Sequence, residues 1–250
     1  MVGSVSLTIS DNIGTIEFQH PKGNSLPKKL LNELAEEINA AGSDKKIAVI
    51  VLKSVGNGAF CAGASFDELA EIDSNEKGSQ FFSGFAKVIL AMKNCPKLIL
   101  CRVQGKAVGG GVGIIAAADY AIASSEASIK LSELNLGIGP FVIAPVVERK
   151  IGISALSSLS INASSWRSAN WANEKGLYND VFESSYLLDE AINTLATNLS
   201  KSSPEAMMEL KNVLWEGFEL MEDKLKKRAQ ISGALAQSDF TKKFIEQFKS

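Results

Sequence analysis

The chain has 250 residues, 46% of them apolar, enough for one large core or for one domain with an appendage. A formal net charge of −2, with Lys and Arg scattered along the chain, offers no basic field for nucleic acid or an anionic membrane. Cys61, Cys95 and Cys101 lack metal-ligand spacing and are odd in number, so neither a zinc site nor a disulfide framework is expected, and the reading is cytoplasmic.

In chain order, "SVSLTIS" and "IGTIEFQ" alternate with period two around Asp11-Asn12, which predicts a hairpin rather than a leader peptide. Pro27 then opens a helix whose apolar stripe is Leu30, Leu31, Leu34, Ala35, Ile38 and Ala41. "IAVIVLK" (47–53) and "KLILCRV" (97–103) are continuous apolar runs of buried-strand length. Between them, "SQFFSGFAKVILAMKN" predicts a helix with Phe82, Phe85, Ile89 and Met92 on one face. "YAIA" and "ASIKL" read as shorter strands. Beyond about residue 185 the strands stop and three or four helical stretches finish the chain. No sequence repeat, low-complexity segment or membrane-length apolar run is present. Strands and helices in alternation, then helices alone, predict an α/β core with a helical C-terminal region.

Two glycine-rich loops each leave a buried strand and enter a helix. In "GNGAFCAGASFDEL" (56–69), Ser65 and Glu68 form an S-x-x-E capping box, so Ala62, Gly63 and Ala64 lie just before a helix start. In "AVGGGVGIIAAADYAIAS" (107–124), Gly109, Gly110 and Gly111 bare the N–H groups at the start of an apolar helix. Two such loops can aim two N–H donors at one developing oxyanion, although close helix–sheet packing also accounts for small residues. The pattern Gly111-x-Gly113-x-x-Ala116 fits a dinucleotide fingerprint, but it lies mid-chain and no acidic residue ends a following strand at the needed spacing.

Together with "LSELNLGIGP", "HPKGNSLPKKLLNEL" and "SANWANEKGLYNDVF", these loops resemble the crotonase superfamily of enoyl-CoA hydratases and isomerases over nearly the whole chain. The resemblance implies a spiral of ββα turns over about residues 1–200, with a C-terminal helical trimerisation region over 201–250. It implies a homotrimer or dimer of trimers, and an acyl-CoA thioester as substrate with no further cofactor. Carried over by position, Ala64 and Gly110 are the oxyanion donors. Phe60, Ala62 and Gly63 line the adenine side of the CoA pocket and Gly109 belongs to the site; by its place just after "GIGP", Phe141 reads either as acyl-pocket lining or as core packing. Ser65 stands where the family usually has Asp.

Of the two glutamates of the hydratases, the first position is Gly113 here, and the second is Glu133. One carboxylate suffices to shift a double bond by removing and returning a proton, whereas hydration uses two around one water. An isomerase with Glu133 as acid/base is therefore the leading expectation. A hydratase of altered specificity, a decarboxylase and a non-catalytic trimeric thioester-binding module are the alternatives. Elsewhere, His20 has no visible Ser or Cys partner, Asp119 reads as a turn cap, and Trp166 and Trp171 read as packing in a helical stretch. The Lys224, Lys226, Lys227 and Arg228 cluster reads as a solvated helix face.

Overall fold

A computed structural model describes residues 3–249. The predicted hairpin is β1 (Ser4–Ser10) and β2 (Ile13–Gln19), paired antiparallel, with Asp11 and Asn12 both at positive φ as a two-residue turn requires. α1 (Lys28–Ser43) follows Pro27 and buries every member of the predicted stripe. Next come β3 (Val49–Ser54), the short α2 (Phe66–Leu69), α3 (Asn75–Asn94), β4 (Ile99–Val103) and β5 (Ala107–Val108). They are followed by α4 (Gly110–Ala117), β6 (Tyr120–Ser124), β7 (Ser128–Lys130) and a 3-10 turn over Glu133–Leu136. α5 (Ala144–Ile161), β8 (Arg167–Ser168), α6 (Ala169–Glu174) and β9 (Asp180–Phe182) complete the α/β part. The chain ends in four helices: α7 (Ser185–Leu199), α8 (Pro204–Leu214), α9 (Met221–Leu235) and α10 (Asp239–Lys249).

Six strands form one sheet in the order β1-β2-β3-β4-β6-β9, parallel from β2 onward. β5, β7 and β8 form a second, smaller sheet. The chain visits both in every turn: one strand in the large sheet, one in the small, then a helix. β4, β5 and α4 make one such turn, and β6, β7 and the 3-10 turn begin the next. Earlier turns reduce the second strand to a single bridge, Leu26 with Ala64 and Cys61 with Ala107. The result is the expected spiral. The large sheet is covered on one side by α1, α3 and α4. On the other side α7 brings Leu188, Ile192 and Ala196 against Val49, Val51, Leu100 and Ile122. Burial on both faces is why β3 and β4 read as unbroken apolar runs.

α9 lies along α3, where the helices approach so closely that a Cβ on Gly78 would stand 2.7 Å from the Gly233 Cα. Residues beyond 200 thus pack on the core rather than hang from it. All three cysteines are free and buried, and burial pushes the Cys61 thiol up to about 12. No described helix is long and apolar enough to cross a membrane.

Candidate active site

The spiral places the two glycine loops side by side. The parallel bridge between Cys61 and Ala107 is closed by Cys61 N–H to Lys106 O (3.2 Å) and Val108 N–H to Cys61 O (2.9 Å). Ala64 and Gly110 each lie three residues beyond this bridge, at matching points of neighbouring turns. Ala64 immediately precedes Ser65, whose hydroxyl caps α2 by accepting from Glu68 N–H at 3.4 Å. The capping box is only half made, because the Glu68 carboxylate instead accepts from Lys28 N–H at 2.8 Å and caps α1. Gly110 is the first residue of α4. Among the described residues neither Ala64 N–H nor Gly110 N–H has a protein acceptor, as expected of a chain entering a helix.

The glycines are there because of close approach. Gly63 has φ +87°, and a Cβ on it would lie 3.0 Å from Val108 O and 4.0 Å from Gly110 N. Gly109 has φ +52°, and its Cβ would stand 2.7 Å from Glu133 Oε1. That second distance also locates the carboxylate: Glu133 lies directly against the backbone that presents the Gly110 donor.

Glu133 arrives there through β7, which pairs in parallel with β5 and so runs beside Gly109, whose N–H donates to Lys130 O at 2.9 Å. The 3-10 turn after β7 closes with Gly137 in the left-handed conformation (φ +79°) and Ile138 N–H donating to Glu133 O. Although the residue as a whole is partly exposed, its carboxylate is buried and Oε2 has no hydrogen-bond partner. Desolvation raises its pKa to about 7, opposed weakly by its own backbone N–H. A carboxyl group poised near neutrality can both remove and deliver a proton.

All of this opens on one cavity of about 400 Å³. Of the site residues named from the sequence, Ala62, Gly63, Ala64, Gly109, Gly110, Glu133 and Phe141 line it. Phe60 does not. It is fully buried and packs edge-on against Phe18 at 5.4 Å, because the chain turns toward the cavity only after Cys61. Sequence reasoning missed most of the apolar wall, supplied by Phe66, Leu69, Phe81, Ile138, Val142 and Ile143, and missed Ser232 and Phe244 from the C-terminal helices. Phe82 and Phe85 were legible as a helix face, but not as cavity wall.

Other expectations change in detail. His20 does have a serine partner: Ser25 Oγ is 2.9 Å from its Nδ1, brought back by a tight turn at Asn24 (φ +56°). Neither residue lines the cavity. Trp166 is not helical; it precedes β8, with Lys106 and Lys130 ammonium groups 5.2 and 5.6 Å from its ring. Arg228 is half-buried and donates to Phe141 O at 3.3 Å, so it props the cavity wall while its lysine neighbours are solvated. Asp119 is no simple cap, as its ion pair with Lys211 (3.0 Å) is buried. No described group of three or more His, Cys, Asp or Glu could hold a metal.

Comparison with known proteins agrees with this architecture. A family model described as enoyl-CoA hydratase/isomerase matches residues 8–249. The short-chain-enoyl-CoA hydratase of Clostridium acetobutylicum is 28% identical over 220 residues, covering 87% of this chain and 83% of that protein. The mitochondrial methylglutaconyl-CoA hydratase of Homo sapiens is 33% identical over 201 residues, covering 79% of this chain and 59% of that protein. The crystal structure of an enoyl-CoA hydratase from Bacillus halodurans superimposes with a TM-score of 0.90 at 23% identity, covering 97% of this chain and 99% of that one, which shows the shared fold. With two glycine loops and a buried carboxylate lining one apolar cavity, and a family match over almost its full length, the chain belongs to the enoyl-CoA hydratase/isomerase family of the crotonase superfamily.

Proposed function

We propose that this enzyme moves the double bond of an enoyl-CoA from the β,γ to the α,β position. The thioester carbonyl sits between the N–H groups of Ala64 and Gly110. Glu133 removes a proton from Cα, the negative charge of the dienolate rests on the oxygen held by the two donors, and Glu133 returns the proton to Cγ. No atom enters or leaves, and the chemistry needs no cofactor beyond the CoA of the substrate. The observation that carries this reading is the solitary carboxylate: Glu133, at the second of the two hydratase positions, is buried against Gly109 with a free Oε2, while Gly113 leaves the first position without a carboxylate. Space for the missing carboxylate is filled as well, since a Cβ on Gly113 would stand 2.3 Å from Ile143 Cγ2.

A hydratase is the second reading, favoured by the names of the relatives. A panel of β,γ- and α,β-enoyl thioesters separates the two. Isomerisation should exceed hydration by at least about tenfold in kcat/KM, equivalent to about 1.4 kcal/mol of barrier. Faster hydration of crotonyl-CoA overturns the isomerase assignment.

The enzyme is further proposed to act as a trimer or a pair of trimers through its C-terminal helices. On α8, Leu210, Val213 and Leu214 are exposed while Met207 is buried, so the helix has an apolar face that the monomer leaves uncovered. Light scattering should give a mass at least three times that of the 26.7 kDa chain. A monomer at micromolar concentration refutes it.

A further inference from the structure

The Ser232 hydroxyl is the buried polar group in the cavity that the proposed chemistry does not use. Ser232 is 1% exposed, lines the cavity, and its Oγ has no hydrogen-bond partner. It lies on α9 beside Gly233, at the close crossing with α3, where a Cβ on Gly233 would stand 2.4 Å from Ser79 N. The helix around it therefore cannot slide to find the hydroxyl another partner. One turn further on, Ala236 joins Leu69, Phe81 and Ile138 in an apolar cluster. Packing does not account for the hydroxyl, because alanine has nearly the same size, favours helix and leaves no donor unsatisfied.

Position along α3 says which part of a ligand it meets. Phe85 touches the oxyanion end, since a Cβ on Gly110 would stand 2.1 Å from its ring. Gly78, at the crossing with Gly233, lies seven residues earlier on the same helix, about 10 Å away at 1.5 Å per residue. We propose that Ser232 is a specificity-determining residue that hydrogen-bonds an oxygen, keto or hydroxyl, near the far end of a medium-length acyl chain. This deepens the reading of the cavity as an acyl-CoA site and rests on it. The substrate class then extends to oxygenated acyl-CoA beside plain alkyl acyl-CoA.

The test is calorimetric binding of two saturated thioesters that cannot react, octanoyl-CoA and its analogue with a ketone next to the terminal methyl. Wild type should bind the ketone within about threefold of octanoyl-CoA, because Ser232 replaces the water the carbonyl gives up. Ser232→Ala should weaken the ketone about tenfold, octanoyl-CoA less than about twofold, and Ser232→Thr should restore the ketone. Equal effects of Ser232→Ala on both ligands, or a wild type that rejects the ketone more than tenfold, overturn the proposal. So does a failure to bind either thioester. Ketone binding that depends on Ser232 supports it even where no α-proton exchange is found, and that result would sink only the Glu133 chemistry.

Discussion

Asp119 and Glu133 both carry a buried carboxylate, and their surroundings are opposite. Asp119 is satisfied on every side. It accepts from Ile99 N–H (2.8 Å) and Trp215 Nε1 (3.2 Å) and pairs with the Lys211 ammonium at 3.0 Å, both side chains being 3% exposed. Glu133 has an unpartnered Oε2 and a pKa raised to about 7 by desolvation. The first ties α8 to the sheet, through Lys211 and Trp215. The second is desolvated with nothing in the protein to satisfy Oε2, as suits the proton transfer proposed for it. The difference teaches how to separate a structural carboxylate from a chemical one when both are buried: the structural group has its partners already.

The sharpest way to break that contrast is Glu133→Gln. Turnover of a β,γ-enoyl thioester should fall by roughly two to four orders of magnitude, the usual worth of a general acid–base group, with KM little changed. Retention of more than about a tenth of wild-type turnover would assign the proton transfer to another residue.

Asp119→Ala should act on the other side of the comparison. It strands the Lys211 ammonium, whose remaining partner is Lys97 O at 2.8 Å. Denaturant unfolding should show a loss of about 3–5 kcal/mol, as for other buried pairs broken on one side. If the loss is below about 1 kcal/mol, the pair is no anchor.

The smallest effect is a pH dependence of stability. Because the folded pKa of Glu133 is raised, the native state holds its proton longer than the unfolded chain between pH 4.5 and about 7. Its contribution to stability is intact at low pH and declines as pH rises through that window. Glu133→Gln, which carries no charge, should therefore melt a few degrees higher than wild type at pH 8, with the gap closing at pH 4. A gap that is constant with pH would mean that Glu133 is not desolvated.

What the sequence by itself determined was local. The hairpin, the α1 stripe, the doubly buried strands and the two loops that start helices were legible, because period, turn residues and helix caps are written within a few neighbouring positions. Glu133, Ala64 and Gly110 were legible as a set only through the resemblance to a known family. The tertiary structure decided the rest. The ββα spiral repeats in space without repeating in sequence, since a second-layer strand can shrink to one bridge at Leu26 or Cys61 and leave no periodic trace. It alone brings three helix or 3-10 starts, near Ala64, Gly110 and Glu133, to one cavity. It turns Phe60 into the core, although Ala62 two residues later lines the ligand space. And it makes Ser232 part of that space, because the crossing of Gly78 with Gly233 joins segments more than 150 residues apart, a contact that no local pattern encodes.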